Sequence, residues 1–117
     1  MAAYKDTFAA AMRAAEKLLD SRGYDIIDRR WGCDAGEIDL VAKNPETLVF
    51  ADVSARTAPE EEFPEYGADR LRLRFERIAA AWLADHEVDD CAVRFDQLDV
   101  LIVGSKAFIR HHISCCG

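Results

Sequence analysis

Two aspartates, Asp39 and Asp52, are the side chains in this sequence best placed to do chemistry, because each lies near the middle of an apolar stretch. A carboxylate in such a place costs roughly several kcal/mol unless it is paired, hydrogen-bonded or bound to a cation. A short turn at Asn44 and Pro45 joins the two stretches. If the stretches pair antiparallel about that turn, positions whose numbers sum to about 91 lie opposite each other. The pattern therefore predicts that the two carboxylates face one another within reach of one shared ion.

Two hard oxygen ligands with room for water and a phosphate are typical of a Mg²⁺ (or Mn²⁺) site of the phosphoryl-transfer kind. Glu37 lies one pleat from Asp39 on the same face of the predicted strand and could add a third oxygen. The alternative is that both aspartates point to solvent from an open sheet face, with no ion between them.

The elements that must position these residues follow from hydrophobic periodicity. Helices are predicted at residues 5–21 and 68–86, and strands at 24–31, 37–43, 47–54, 92–103 and 107–113. Alternation in the second strand places Ile38, Leu40 and Ala42 on one face and Glu37, Asp39 and Val41 on the other. The order α-β-β-β-α-β-β predicts one α/β domain over residues 1–117, with helices on a mixed sheet. The strand–helix–strand crossover predicts that the fourth strand is parallel to the third.

Composition narrows the class of protein. The 117 residues include 15 Lys and Arg against 22 Asp and Glu, so the formal net charge is −7. This charge argues against indiscriminate binding to DNA or to anionic membranes. No apolar run approaches the roughly 20 residues that span a bilayer, and no secretory signal is visible. The cysteines form no C-x-x-C motif, which indicates reduced thiols in a cytoplasmic protein with no membrane partner.

Three segments resemble the YraN family of bacterial proteins. They are RGYDIIDRRW at 22–31, GEIDLVA at 36–42 and LVFADVSAR at 48–56. The likeness covers nearly the whole chain. The family in turn resembles the PD-(D/E)XK nucleases, which include restriction enzymes and Holliday-junction resolvases. That resemblance implies an αβββαβ core, a catalytic Asp on the second strand and an acidic-x-Lys motif on the third, with many members adding a Glu from the first helix.

Carried over by position, the resemblance implies that Asp39 and Asp52 are the metal ligands and that Ser54 occupies the position of the motif lysine. The helical Glu of the family falls on Ala11 and Met12, so it is missing here. The lysine of the fold orients or deprotonates the attacking water and stabilises charge on the phosphate. A serine hydroxyl is a poor base near neutral pH.

Two nearby cations are candidates to replace the lysine. Arg56 shares the face of Asp52 and Ser54 but is always protonated and cannot act as a base. Lys43 shares the face of Asp39, nearer the turn, and could do so.

We interpret six arginines as a surface that contacts phosphates, and Trp31 as a residue that stacks on a base. They are Arg29, Arg30, Arg56, Arg70, Arg74 and Arg77. The alternative is a solvated helix face with intrahelical ion pairs, and a Trp that packs in the core.

A zinc site at His111, His112, Cys115 and Cys116 is disfavoured, because adjacent residues on a strand point to opposite faces.

Together these observations predict a DNA-binding or structured-nucleic-acid-binding protein of the YraN type, with a Mg²⁺-dependent endonuclease site. Catalysis would rest on Asp39 and Asp52 with help from Glu37, and would be impaired because Ser54 replaces the lysine. The competing class is a non-catalytic binding or scaffold protein, in one version a homodimer, that retains the fold without the chemistry.

Overall fold

Seven elements follow one another in the predicted order. The computed structural model describes residues 2–57 and 68–113, with side chains described over 6–57 and 73–113. The helices are α1 (Ala2–Ser21) and α2 (Ala68–Asp85); the strands are β1 (Asp25–Cys33), β2 (Gly36–Lys43), β3 (Thr47–Thr57), β4 (Ala92–Val103) and β5 (Lys106–His112). The mixed α/β prediction is thus confirmed. A polar loop was also predicted before α2, and from residue 58 on it lies outside the described residues. Neither helix is long and apolar enough to cross a bilayer.

The strands form one five-stranded sheet in the order β1-β2-β3-β4-β5. Only β3 and β4 are parallel to each other; the other neighbours are antiparallel. The predicted parallel crossover through α2 is therefore confirmed. The turn between β2 and β3 also has the predicted register, with Leu40 opposite Ala51. Asn44 fixes this turn, because its Oδ1 accepts hydrogen bonds from the backbone N–H groups of Glu46 (2.9 Å) and Thr47 (2.7 Å).

Helix α1 covers one face of the sheet. Its buried stripe of Ala11, Met12, Ala15 and Leu19 recurs at helical spacing and packs on the sheet. The sheet residues in this layer are Leu40, Ala42, Val49, Ala51, Val53, Ala55, Leu98 and Val100. The helix ends at Ser21, and the φ of 88° at Gly23 lets the next backbone N–H, that of Tyr24, donate to the Leu19 carbonyl at 3.0 Å.

Helix α2 packs on the opposite face, mainly over β1 and β2. Phe75, Ile78 and Trp82 are buried there against sheet residues that include Val41, Leu48 and Phe50. Each such side chain stabilises the fold by about 1.5–3 kcal/mol through burial. Because the helix lies over this end of the sheet, it places its first turns beside the aspartates of β2 and β3.

Both β1 and β2 are irregular at the level of Asp39. Ile38 packs in the α2 layer with Val41, whereas Leu40 packs in the α1 layer. The alternation predicted for β2 is therefore wrong at Ile38, since strict alternation would put it with Leu40. On β1 the opposing residue, Arg30, has a φ of 51° and lies between two regularly paired neighbours. These irregularities bring side chains of β1 and β2 together around Asp39.

Candidate functional site

Asp39 and Asp52 meet where β2 and β3 separate. Regular pairing of the two strands extends to Leu40 and Ala51. Beyond it, the backbone N–H of Val53 donates to Asp39 Oδ2 at 2.7 Å, and the backbone N–H of Asp39 donates to the Asp52 carboxylate. The side chains are only 15% and 13% exposed. The structure therefore brings together the two carboxylates that the sequence singled out.

Arg74 of α2 lies across this opening. Its Nη1 donates to Asp52 Oδ2 at 2.9 Å, and its Nη2 donates to the backbone carbonyl of Glu37 at 2.8 Å. Gly36 makes room for the guanidinium, because a Cβ there would lie 3.3 Å from Arg74 Nε. One guanidinium thus joins β2 and β3 at the point where their backbone pairing has ended.

Arg30 approaches the same site from β1. Its Nε donates to Glu37 Oε1 at 2.6 Å and lies 3.8 Å from Asp39 Oδ1. The left-handed backbone at Arg30 costs roughly 1–2 kcal/mol for a residue with a Cβ. The side chain also lies over the Phe8 ring, 5.1 Å from its centroid. Two guanidinium groups therefore flank the aspartate pair, one from each side.

Burial dominates the electrostatics of the pair. It raises the pKa of Asp52 to about 6, with the neighbouring Asp39 charge adding to the rise, although Arg74 and the Asp39 N–H lower it. Burial likewise raises the pKa of Asp39, against the Val53 N–H and the charges of Arg30 and Arg74. Two arginines do not fully offset the desolvation of the two carboxylates, so further positive charge would stabilise the site.

Ser54 does not point a free hydroxyl at the aspartates. Its Oγ donates to Asp99 Oδ1 at 2.6 Å, and Gln97 Nε2 donates to the same oxygen at 3.2 Å. His112 Nε2 lies 3.0 Å from Asp99 Oδ2. The position that the resemblance assigns to a lysine is thus part of a network around a fully buried carboxylate.

Sequence reasoning missed Asp99 and Gln97, and it considered His112 only as a zinc ligand. A signal for Asp99 was present, since it lies in the apolar strand β4 just as Asp39 and Asp52 lie in theirs. His112 faces Asp99 while His111 contacts Asp96 on the other side of the sheet, as expected for adjacent strand residues. The two cysteines considered with them for zinc lie outside the described residues.

The other arginines and the lysine are dispersed. Arg29 pairs with Glu16 at 2.8 Å, and Arg77 is exposed on α2. Arg56 follows Ser54 on the same face of β3, and the side chain of Arg70 lies outside the described residues. Lys43 lines a cavity of about 900 Å³ near His86 and Cys91 that contains neither aspartate.

Trp31 packs with the α2 layer, in edge contact with the ring of His86 at 6.2 Å. This position agrees with the alternative in which Trp31 packs in the core and does not stack on a base.

The donor set suits a hard cation in part. Asp39, Asp52 and the Glu37 carbonyl supply oxygen, the ligand type of Mg²⁺, which commonly uses one or two carboxylates and completes its shell with water and phosphate. Among the described residues, no group of three or more His, Cys, Asp and Glu side chains is arranged to hold a metal. The Glu37 carboxylate points to Arg30 instead. A bound cation would therefore compete with Arg74 for Asp52.

Comparison with known proteins identifies relatives along most of the chain. The family model described as "Uncharacterised protein family UPF0102" matches residues 12–103. A UPF0102 protein of Beutenbergia cavernae is 37% identical over 115 residues, which is 97% of this chain and 98% of the relative. A UPF0102 protein of Frankia casuarinae is 40% identical over 85 residues, 72% of each chain. The match confirms the resemblance to the YraN proteins, and the chain belongs to the UPF0102 family.

Proposed function

We propose that this protein binds nucleic acid through a Mg²⁺ (or Mn²⁺) ion held by Asp39 and Asp52, in a restriction-endonuclease-like core whose phosphodiester hydrolysis is impaired. The observation that carries the proposal is the convergence of two largely buried carboxylates at the opening between β2 and β3, with the Arg74 guanidinium already bonded to one of them. The position attracts a cation, and it is lined by oxygen ligands of the type that Mg²⁺ prefers.

The arginines give the site a second component. A divalent cation would polarise a phosphate oxygen and lower the pKa of a bound water. Arg74 and Arg30 are 42% and 54% exposed, so both guanidinium groups can turn from the carboxylates to a phosphate. The site can thereby hold an anion and a cation at once.

Weak hydrolysis follows from the surroundings of Ser54. Its proton is directed to Asp99, so its oxygen can accept a hydrogen bond from water but brings no positive charge to the phosphate. Losing a group that stabilises charge in the transition state typically slows a reaction by about a hundredfold or more. The intact carboxylate pair and the missing cation together support a metal-binding protein with little cleavage.

A calorimetric titration of the full chain with Mn²⁺ tests the metal site. We expect saturable binding that is lost in Asp39→Asn and Asp52→Asn and kept in Asp90→Asn, which removes an exposed acid elsewhere. Absence of binding to the wild-type chain, or equal binding by all four proteins, would refute the proposal.

A nicking assay on branched and plain DNA with Mn²⁺ separates the enzyme from the alternative. Slow cleavage that is abolished in Asp39→Asn and accelerated in Ser54→Lys supports an impaired nuclease. If metal binds, DNA binds and neither the wild type nor Ser54→Lys cuts, the protein is the non-catalytic binding protein. The bonded state of Ser54 and Arg74 favours that second candidate.

A further inference from the structure

The cavity of about 900 Å³ lies at the C-terminal end of α2, where β1 and β4 begin and β2 ends. Its volume is within the range of roughly 300–1,000 Å³ that is typical of small-molecule sites. We call it the α2-end cavity. Half of its lining residues are apolar; they are Ile27, Leu83, Val88, Cys91 and Val93.

A β-bulge in β1 supplies one wall of the cavity. The pairing of β1 with β2 shifts between Ile26 and Asp28, so Ile27 is an extra residue with no partner in β2. Ile27 is 43% exposed and Val93 is 42% exposed, although both lie in strands of the sheet. Single exposed apolar side chains are ordinary, whereas two that line one cavity indicate an apolar group as ligand.

The charged residues of the lining make the cavity acidic. Three exposed carboxylates line it, those of Glu87, Asp89 and Asp90. Lys43 also lines it, so the formal charge of the described lining is −2 when His86 is neutral. The C-terminal end of α2 adds the negative end of a helix dipole, and its last turn contains no basic residue. A cation is therefore the favoured ligand.

Basic residues elsewhere in the chain do not cancel this charge. Arg94 of β4 lies over the Tyr24 ring, in the α1 layer on the other side of the sheet. Arg70 and Arg72 belong to the first turns of α2, about 20 Å along the helix from its last turn. Segment 58–67, which lies outside the described residues, contains four glutamates and no lysine, arginine or histidine, so it brings no positive charge.

We propose that the α2-end cavity binds an aliphatic polyamine. Its methylene groups would pack on Ile27 and Val93, and its ammonium groups would lie beside the carboxylates of Glu87, Asp89 and Asp90. A polyamine joins several ammonium groups by short hydrocarbon chains, so one molecule meets the apolar and the acidic lining together. Lysine side chains behave in the same way, with the stem on an apolar surface and the charge in water. The site is separate from the aspartate pair and does not depend on the proposed function.

Other ligand classes fit the cavity less well. Among the described residues, no group of three or more His, Cys, Asp and Glu side chains is arranged to hold a metal. An anion would meet a negative potential. One lysine of a partner protein would bring a single ammonium group to three carboxylates.

A calorimetric titration of the full chain with spermidine, in excess Mg²⁺, tests the charged part of the site. We expect saturable binding that Glu87→Gln and Asp89→Asn each weaken about two- to fivefold, as for exposed ion pairs. Asp34→Asn, at an exposed position in the turn between β1 and β2, is the matched control. Lys43→Gln should strengthen binding by a similar factor, a gain that misfolding cannot produce, and Lys17→Gln on α1 should not.

A series of diamines tests the apolar part of the site. From putrescine through cadaverine to hexamethylenediamine, affinity should rise by up to about fourfold per methylene, the value for a fully buried group. Val93→Thr should reduce this increment, because it replaces a methyl group of the lining with a hydroxyl. Val103→Thr is the matched control, since Val103 is 41% exposed at the other end of the same strand.

Several results would overturn the inference. They are absence of spermidine binding in Mg²⁺, equal affinities in the wild type, Glu87→Gln and Asp89→Asn, and an affinity that does not depend on diamine length. Tighter binding of a lysine-rich peptide than of spermidine would assign the cavity to a basic protein segment and would also contradict it. The Mn²⁺ titration at Asp39 and Asp52 reports on a different site, so either proposal can fail alone.

Discussion

At the scale of single residues, Asp52 is subject to two opposing effects. Its burial favours the neutral acid and raises its pKa to about 6, while Arg74, at 2.9 Å, favours the carboxylate. The net rise means that the ionised side chain destabilises the fold near neutral pH. A functional explanation is a cation that is bound when the protein works, since a cation would reverse this balance.

The stability of the protein should reflect this titration. Because the folded state holds the Asp52 proton more tightly than the unfolded chain, ionisation of Asp52 lowers the free energy of unfolding as pH rises from about 4 through 6. In urea unfolding across this range, the free energy of unfolding of Asp52→Asn should increase relative to that of the wild type by on the order of 3 kcal/mol. The unfolding free energy of Asp90→Asn, a change at an exposed site, should depend on pH in the same way as that of the wild type. Parallel curves for Asp52→Asn would contradict the raised pKa.

Arg74 should compete with metal at the same carboxylate. In Arg74→Gln, Mn²⁺ affinity at pH 8, where Asp52 is ionised, should increase by about two- to fivefold, as expected for loss of a partly exposed ion pair. The pKa of Asp52 should rise further in this variant, because Arg74 lowers it. Carboxyl ¹³C chemical shifts report the pKa and calorimetry reports the affinity. Unchanged or weaker Mn²⁺ binding at pH 8 would show that the guanidinium and the ion do not share the site.

At the scale of elements, the site exists because β1 and β2 both depart from regular geometry at one level. Arg30 takes a left-handed φ of 51°, and Ile38 packs in the α2 layer out of alternation with Leu40. Regular strands would continue the ladder and leave no opening for side chains to enter. The irregular backbone is thus a condition for the approach of Arg30 and Arg74 to the carboxylates.

Two variants of Arg30 separate backbone strain from charge. Both Arg30→Ala and Arg30→Gly remove the guanidinium, but only glycine adopts a positive φ without a steric cost. We expect Arg30→Gly to be more stable than Arg30→Ala by about 1 kcal/mol in urea unfolding, the reverse of the usual order within a strand. If alanine is the more stable, Arg30 is not strained in solution.

The sequence was sufficient for the order of elements, the register about Asn44 and the approach of Asp39 to Asp52, because these depend on local periodicity and on charges within apolar stretches. It was insufficient for the partner of Asp52. Arg74 is 22 positions away, and its contact depends on how α2 docks on the sheet. The sequence equally gave no sign of a left-handed arginine, since nothing in local propensity favours one.

At the scale of the whole molecule, long-range polar contacts tie α1 to the far edge of the sheet. Asp96 of β4 is fully buried and accepts from Arg94 at 2.8 Å and from His111 Nε2 at 2.7 Å. The other ring nitrogen of His111 accepts from Arg22, just after α1, at 2.5 Å. These contacts join residues up to 89 positions apart and hold β5 against the rest of the fold.

Neighbouring histidines offer a matched test of this network. The His111 side chain is 3% exposed and that of His112 is 37% exposed, and each contacts a buried aspartate. His111→Ala should lower the free energy of unfolding by about 1–3 kcal/mol, because it leaves the Asp96 carboxylate short of a donor. His112→Ala should cost less, since water can reach the vacated position. Chemical denaturation measures both, and a larger loss for His112→Ala would contradict this account.

The turn between β1 and β2 has a consequence for how the site can change over generations. Gly36 combines a φ of 134° with only 3.3 Å between its missing Cβ and Arg74 Nε. A side chain there strains the backbone and crowds the Arg74 guanidinium, which must then shift by a few tenths of an ångström. One codon, three positions before that of Asp39, therefore influences how the Arg74 guanidinium meets Asp52, and natural variation at that codon would alter this contact while leaving both aspartates in place.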